Sequence, residues 1–317
     1  MRKYRSLPLG IDVGASRVRI AQLERARGGE VRLCAVVSRD LAEEAGDEAA
    51  LAALVGDMLK ELGTRERRCV FSVGAGDAYV RAVAMPPMSR IERHRAASFE
   101  LQSTPGLRDG GERLVVRVHP FDRGGRYLLG AARESAIARR VALARAARLR
   151  IVAVDFDGCA LHRSFPEASL VLDIGTRRAT LHAFFDDGPR SWHVPSGGSD
   201  VTDAIASDLG VSEEIAEKRK RILGTAGAGR ASVGAFASRL VSVVEGVRAR
   251  GAASVLSLTG NGARLAELTR TLECATGLAA EVRVPEILRG EAYPDDVVRA
   301  AAPDWALAAG LALHGCA

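Results

Sequence analysis

The start of the chain alternates between apolar and polar positions in the way that is typical of β-strands. Apolar side chains recur at every second position or in short runs over 7–13, 17–24 and 31–38, and the turns "DVGAS" and "RGGE" separate these stretches. This pattern predicts a three-stranded meander. From 48 to 62 the period becomes helical, with one apolar face made of Leu51, Leu54, Val55, Met58 and Leu59. A continuous apolar run over 69–74 then predicts a buried strand.

Residues 81–150 interrupt this order and predict a compact β/α insert. A double proline at 86–87 precedes a helix that we expect to begin at Ser89, because Ser89 and Glu92 have the spacing of a capping box. The segments that follow predict, in order, strands over 113–121 and 126–133, a helix over 134–149 and a strand over 150–157.

The second half of the chain begins with a copy of the first hairpin. "LGIDVGASRVRIAQLE" at 9–24 aligns with "LVLDIGTRRATLHAFF" at 170–185, so that Asp12 matches Asp173 and Gly14 matches Gly175, each 161 positions later. Glycine lets the backbone approach an anion and present its N–H groups. Two such turns facing one another would hold a phosphate chain between them, and the two aspartates would hold a hydrated Mg²⁺ ion.

Two further segments fit a nucleotide. The sequence after 251 predicts a buried strand, a turn with Gly260 and Gly262, and a helix, where an adenine and its ribose would rest on the backbone; the alternative is an ordinary strand-to-helix connection. The charged helix after Ser212 carries Glu217 and Lys220 three positions apart, which either hydrogen-bond a ribose or form an ion pair on a solvated face.

Composition removes several classes of function. The net charge is +6, but arginines scattered among acids supply nearly all of the positive charge, and aromatic residues make up 4% of the chain, which argues against nucleic-acid binding. Five cysteines without a C-x-x-C pair argue against a zinc ribbon or a disulfide framework. We expect no signal peptide, and apolar runs such as "WALAAGLAL" are too short to span a membrane.

The order of these elements resembles the actin and sugar-kinase superfamily. Within it, the sequence resembles the PilM-like type IV pilus assembly proteins, relatives of FtsA, over essentially the whole chain. The most specific segments are "GIDVGASRVRI", "MPPMSRIERHRAASFE", "VLDIGTRRATLHAF", "SGGSDVTDAIASDLGVSEEIAEKRKRILG" and "DWALAAGLAL". The resemblance implies an α/β, actin-like (ribonuclease H-like) two-lobed ATPase fold. Its first lobe would span 1–167 with the insert at about 81–150, and its second lobe 168–317 with a helical subdomain at about 199–252.

The resemblance also implies a site for ATP or ADP with Mg²⁺. The first phosphate turn would consist of Asp12, Gly14, Ser16 and Arg17, and the second of Asp173, Gly175 and Thr176. Gly197 and Gly198 would lie near the phosphates at a helix N-terminus, which favours anions. The ribose and base would contact Glu217, Lys220, Gly260, Asn261, Gly262 and Arg264. Asp12 and Asp173 would hold the metal through water.

Two departures from the family pattern concern the same site. Arg177 and Arg178 stand where relatives usually carry small polar residues, and the added cations either strengthen triphosphate binding or occupy its place. Asn261 stands where a second glycine is usual, and asparagine tolerates a left-handed backbone. These departures favour nucleotide binding over turnover, so we expect at most a slow ATPase.

The resemblance implies a cytoplasmic scaffold of a type IV pilus, competence or secretion platform, held at the inner membrane through partners. Its main partner would be a PilN-like membrane protein, whose N-terminal cytosolic peptide would dock between the first lobe and the insert, along an edge strand or against the helix at 89–103. Self-association is a second possible interaction, and nucleic acid is not expected. The alternative is a sugar-type kinase of the same superfamily with Asp155 or Asp157 as the general base.

Overall fold

The structure is a computed structural model that describes residues 4–41, 47–102, 112–122, 124–186, 188–251, 254–288 and 302–316. The strands are β1 Tyr4–Ser6, β2 Leu9–Val13, β3 Arg17–Ala26, β4 Val31–Asp40, β5 Arg68–Val73, β6 Ala78–Ala84, β7 Leu114–Pro120, β8 Arg126–Arg133, β9 Arg150–Phe156, β10 Leu170–Ile174, β11 Ala179–Phe185, β12 Gly188–Val194, β13 Val255–Thr259 and β14 Ala279–Val282. The α-helices are α1 Glu48–Glu61, α2 Arg90–Gln102, α3 Glu134–Ala146, α4 Asp157–Ser164, α5 Gly198–Leu209, α6 Glu213–Leu223, α7 Arg230–Arg248, α8 Leu268–Thr276 and α9 Ala306–Ala312.

Two of the sheets repeat one topology. In the first, β2 pairs antiparallel with β3 and parallel with β5, β3 pairs with β4, and β5 pairs parallel with β9. In the second, β10 pairs in the same ways with β11 and β13, β11 pairs with β12, and β13 pairs parallel with β14. The duplication that the sequence shows in one hairpin therefore extends to five strands in each half.

Each repeated sheet has its own core. Helices α1 and α3 cover the first sheet, where Leu9, Val55 and Phe71 are fully buried. Helices α5, α7 and α8 cover the second, where Leu172 and Leu240 are fully buried. A β-sheet with one apolar face needs this cover to remove that face from water. The ends of β2 and β10, which carry the two Asp-x-Gly turns, are thus fixed by two separate cores.

The insert is a third sheet in the order β6-β8-β7 with α2 packed on β7. The predicted capping box at its helix is confirmed, because the Ser89 N–H donates to Glu92 Oε2 at 2.7 Å and the Glu92 N–H donates to Ser89 Oγ at 3.3 Å. Leu129, from the central strand of this sheet, and Ala97, from α2, are fully buried. The insert therefore has a small core of its own.

The C-terminal helix α9 packs on the first sheet. Trp305, Ala308 and Ala312 form one apolar cluster with Leu23 and its neighbours on β3 and β4. A Cβ on Gly10 would overlap the Ala308 carbonyl, so only glycine allows this approach. The predicted second lobe, 168–317, includes this segment, which packs on α4 as well as on the first sheet, while Ala306 also contacts the cluster that contains Val171 of the second sheet. In the part of the chain that the structure describes, every helix falls short of the length and apolarity that a membrane span requires.

Candidate nucleotide-binding site

The two duplicated turns have the same backbone geometry. The Gly14 N–H donates to the Arg17 carbonyl at 2.9 Å, and the Gly175 N–H donates to the Arg178 carbonyl at 2.9 Å. A hydrogen bond of 2.6 Å joins Ser16 Oγ to Thr176 Oγ1. The two turns therefore meet across the cleft between the two sheets, which is the facing arrangement that the duplicated sequence predicts.

A cavity of about 360 Å³ opens beside this contact. That volume is within the range of small-molecule sites, roughly 300–1,000 Å³. The sequence-predicted residues that line it are Ser16, Arg17, Gly175, Thr176, Gly197, Gly198, Glu217, Lys220, Asn261, Gly262 and Arg264. The remaining predicted residues, Asp12, Gly14, Asp173 and Gly260, are not part of this lining.

Part of the cavity lining is apolar, and sequence reasoning missed it. This part includes Ile174, Val201, Val233, Phe236, Leu265 and Leu268. Val233 and Phe236 on α7 are 2% and 5% exposed, so they form a preformed wall. The only signal for them in the sequence is the helical period of α7, which also predicts ordinary core residues. A cavity that combines apolar side chains with a polar turn suits a flat aromatic base with a charged tail.

The N-terminus of α5 is attached to the second turn. The Gly198 N–H donates to the Gly175 carbonyl at 3.0 Å, and the Ser199 N–H donates to the Thr176 carbonyl at 2.7 Å. A Cβ on Gly197 would lie 2.5 Å from the Thr176 carbonyl oxygen and would force the two segments apart. Turn and helix N-terminus therefore form one rigid wall, at which the positive end of the helix dipole faces the cavity.

Glu217 and Lys220 lie at the rim of the cavity in a connected network. The Lys220 ammonium is 2.6 Å from Glu217 Oε2 and donates to the Gly198 carbonyl at 2.8 Å. Burial works to raise the pKa of Glu217, but hydrogen bonds from Lys220, Thr202 and Arg221 outweigh it and lower the pKa to about 2. Of the two alternatives that the sequence left open, the ion pair is present. Both residues also line the cavity, and their contact with a ribose stays a prediction.

In the turn after β13, the residue with the left-handed backbone is the glycine and not the asparagine. Gly260 has a φ of 80°, whereas Asn261 begins a 3₁₀ helix that spans Asn261–Arg264. A Cβ on Gly260 would lie 2.5 Å from Asp173 Oδ1. The left-handed backbone that we expected Asn261 to tolerate is therefore not required there, because the preceding residue adopts it.

A group of buried charges lies behind the two turns. Arg19 Nη1 donates to Asp12 Oδ2 at 3.2 Å, while Arg19 Nη2 is 3.6 Å from Asp304 Oδ2. Arg17 Nη1 is also 3.6 Å from Asp304 Oδ2. The Asp304 side chain is 2% exposed. Sequence reasoning missed Asp304, which reaches this place from the far end of the chain, and Arg19, which faces Asp12 across the β2–β3 hairpin.

Asp12 and Asp173, the predicted magnesium ligands, are carboxylates whose pKa values are raised by burial. Burial raises the pKa of Asp12 even though Arg19, Arg140 and Arg178 work to lower it. Burial, together with the nearby Asp12 and Asp157, raises the pKa of Asp173 to about 7. Neither carboxylate is part of the cavity lining, so that a magnesium ion held by them through water stays a prediction. Among the described residues no group of three or more His, Cys, Asp or Glu side chains has the geometry of a metal site.

The two aspartates of the kinase alternative differ from each other. Asp155 Oδ2 contacts both Arg163 and His314 Nδ1, and Asp155 Oδ1 accepts from the Phe156 N–H at 2.7 Å. This carboxylate is fully engaged in joining α4 to the end of the chain. Burial raises the pKa of Asp157 to about 6, a value that suits a general base, but Asp157 is not among the residues that line the cavity. The pKa of Asp157 therefore suits the kinase alternative, whereas its position outside the cavity lining does not.

Comparisons with solved structures identify the fold. A chain of the structure described as the PilM-PilN type IV pilus biogenesis complex matches with a TM-score of 0.83 and 26% identity over 98% of both chains. The chain is PilM-like. The ethanolamine utilization protein EutJ from Carboxydothermus hydrogenoformans matches with a TM-score of 0.60 and 13% identity, over 99% of this chain and 91% of that one.

A third match is component A of the (R)-2-hydroxyglutaryl-CoA dehydratase of Acidaminococcus fermentans, with a TM-score of 0.50 and 13% identity over 99% of this chain and 98% of that one. The last two likenesses concern the fold alone. Together the matches confirm the predicted actin-like ATPase fold. No protein-family model matches the sequence, and a comparison with curated proteins gives no significant match.

Proposed function

We propose that this PilM-like chain is an adenine-nucleotide-binding scaffold of a type IV pilus assembly platform or of a related competence or secretion platform. The observation that carries the proposal is the likeness to the chain in the PilM-PilN complex, which extends over 98% of both chains at 26% identity. At the inner membrane the chain would act from the cytoplasmic side through a PilN-like partner.

The nucleotide would be ATP or ADP. Its base would lie against the apolar wall that includes Phe236 on α7, and its phosphates would lie at the Ser16 and Thr176 turns beside the N-terminus of α5. We propose binding as the main role of the nucleotide, with hydrolysis slow at most. The engagement of Asp155 by Arg163 and His314 supports this, because it leaves that carboxylate unable to act as a base.

The partner would be the N-terminal cytosolic peptide of the PilN-like protein, bound at the insert. Helix α2 supports this placement because Ile91 and Phe99 on it are 67% and 74% exposed. Large apolar side chains that stand this far into water are typical of docking surfaces. An extended or helical peptide would cover both side chains.

The test measures binding of a fluorescent peptide, with the sequence of the PilN-like N-terminus, to the full chain by anisotropy. We expect Phe99→Ser to weaken binding at least about tenfold, in keeping with the loss of an aromatic anchor. Ile222→Ser is the matched control, since Ile222 is 80% exposed on α6 of the other half. Equal binding by both variants would remove the insert as the docking surface, and failure of the unaltered chain to bind the peptide would refute the scaffold proposal.

Self-association is a separate prediction of the same resemblance. Sedimentation of the purified chain at increasing concentration tests it, with and without ATP. A single monomeric species throughout would contradict it.

A further inference from the structure

Two carboxylates lie beside the guanidinium group of Arg17, and they differ in their access to water. Arg17 Nε donates to Asp40 Oδ1 at 2.5 Å, and the Asp40 side chain is 61% exposed. On the other side, Arg17 Nη1 is 3.6 Å from Asp304 Oδ2, and the Asp304 side chain is 2% exposed. Arg17 Nη2 makes no hydrogen bond to any residue that the structure describes. Since Arg17 lines the cavity, this nitrogen remains available to a ligand.

The second half of the molecule fixes the position of Asp304. The carbonyl of Pro303, the preceding residue, accepts a hydrogen bond from the Gly260 N–H at 3.2 Å. The 3₁₀ helix Asn261–Arg264, which contributes to the cavity lining, also packs on the 3₁₀ helix Ala302–Trp305. Asp304 is therefore held from the second half of the molecule, while its carboxylate lies close to the arginines at the start of β3 in the first half.

The buried carboxylate fixes Arg17 more firmly than the exposed one. An ion pair that is open to solvent contributes little, because water competes for both partners, and the pair with Asp40 is of this kind. In a buried pair water does not take the place of a lost partner. Arg19 Nη2 is also 3.6 Å from Asp304 Oδ2. Without the charge of Asp304, two neighbouring arginines would lose their shared counter-charge, and Arg17 would be drawn towards Asp40 alone.

We infer that Asp304 is a positioning residue of the nucleotide site, because it holds the Arg17 guanidinium in place to bind the phosphates at the first turn. The inference rests on the proposed nucleotide site and goes beyond it by naming a residue that acts on the nucleotide through another side chain. A freely rotating arginine loses conformational entropy when a ligand orders it. A guanidinium that is already fixed avoids much of this cost, and the affinity for the ligand is higher for that reason.

The first test is calorimetric titration of the full chain with ATP in excess magnesium chloride. We expect Asp304→Asn to weaken ATP binding by about tenfold, which corresponds to about 1.4 kcal/mol, because Arg17 must then be ordered by the ligand itself. Asp40→Asn is the matched control, since it removes the other carboxylate beside Arg17 by the same change. We expect this control to bind ATP within about threefold of the unaltered chain.

The outcomes of this titration separate the inference from the nucleotide site. Absence of ATP binding by the unaltered chain would overturn the nucleotide site and the inference with it. If the unaltered chain binds ATP, then equal weakening by Asp304→Asn and Asp40→Asn would overturn the inference alone. Unchanged or tighter binding by Asp304→Asn would do the same.

A double-mutant cycle shows whether Asp304 acts through Arg17. We expect Arg17→Gln to weaken ATP binding by about tenfold or more, because a charge-assisted hydrogen bond to phosphate is lost. Adding Asp304→Asn to the Arg17→Gln chain should then change the affinity by less than about threefold. A further tenfold loss in the double variant would mean that Asp304 supports the site by another route, and it would overturn the inference.

The test does not depend on the folding of one variant. Thermal unfolding without nucleotide shows whether each chain is folded. Asp304→Ser also removes the charge and has a smaller side chain that fits the same buried space, so we expect the same loss of about tenfold from it. A folded Asp304→Ser chain that binds ATP as tightly as the unaltered chain would contradict the positioning role.

Discussion

The first and second turns share a backbone but differ in how their charges are compensated. In the first, Asp12 lies opposite Arg19 in the hairpin and accepts a hydrogen bond from it at 3.2 Å. In the second, the equivalent pair is Asp173 and Thr180, so no arginine faces the carboxylate from its own hairpin. The duplication preserved the path of the chain at both turns, whereas the partners of the side chains diverged.

The arginines that follow the two turns differ in the same way. Arg17 folds back within the first half of the chain to Asp40 Oδ1 at 2.5 Å and also reaches Asp304. Arg178 extends to the other half of the molecule, beside Asp157. The charge of Arg17 in the first turn is therefore compensated by the nearby carboxylates of Asp40 and Asp304. The position of Arg178 beside Asp157, in contrast, depends on the cleft being closed. A ligand that separates the halves would affect the second turn more.

The largest effect is expected from removing Arg19. Arg19→Met leaves Asp12 and Asp304 buried without their shared cation, and we expect the free energy of unfolding to fall by about 3–5 kcal/mol. Thr180 occupies the equivalent position of the second hairpin and, like Arg19, is 9% exposed. We expect Thr180→Val to lower the free energy of unfolding by about 1 kcal/mol. Urea unfolding measures both. A loss of less than about 1 kcal/mol in Arg19→Met would show that Asp12 and Asp304 do not need it.

Sequence reasoning predicted the features that a few neighbouring residues decide, and it missed those that depend on contacts between residues far apart in the chain. The turn geometry follows from Gly14 and Gly175, and the capping box from Ser89 and Glu92, because a few neighbouring residues decide each. The Arg19–Asp12 pair was accessible from the sequence, since the predicted hairpin places the two residues opposite each other. Asp304 was not, because its position depends on how the end of the chain packs against the first sheet.

The apolar part of the cavity lining was missed for a related reason. Val233 and Phe236 belong to the apolar face of α7, and a helical period shows that a face is buried without showing what it faces. The two turns carry glycines whose spacing predicts an anion, but the apolar part of the lining is made of ordinary core residues. That these core residues line a cavity is seen only once α5, α7 and α8 are packed around one space.

The second prediction concerns pH and Asp173. Its pKa is raised from 3.8 to about 7, chiefly by burial, so folding takes up a proton between these two values and stability falls as the pH rises through that interval. We expect Asp173→Asn to raise the free energy of unfolding at pH 8 by about 1–2 kcal/mol, allowing for the partial exposure of the site, and to change it little at pH 4. Urea unfolding of both chains across this pH range measures the difference. A gain that is the same at all pH values would contradict the assigned cause.

The smallest effect is expected from removing the hydrogen bond between Ser16 and Thr176, which joins the two turns directly. Ser16→Ala and Thr176→Val each remove one hydroxyl of the 2.6 Å contact, and the double variant removes both. If that bond stabilises the closed cleft, unfolding of the four chains should give a coupling free energy of about 0.5–1.5 kcal/mol. Ser38→Ala paired with Thr176→Val is a control cycle, since Ser38 lies on β4 beside Arg19 and away from the second turn, and its coupling should be near zero. A coupling near zero in the first cycle as well would mean that the two turns are held together by the cores behind them and that the hydroxyl contact contributes nothing to closure.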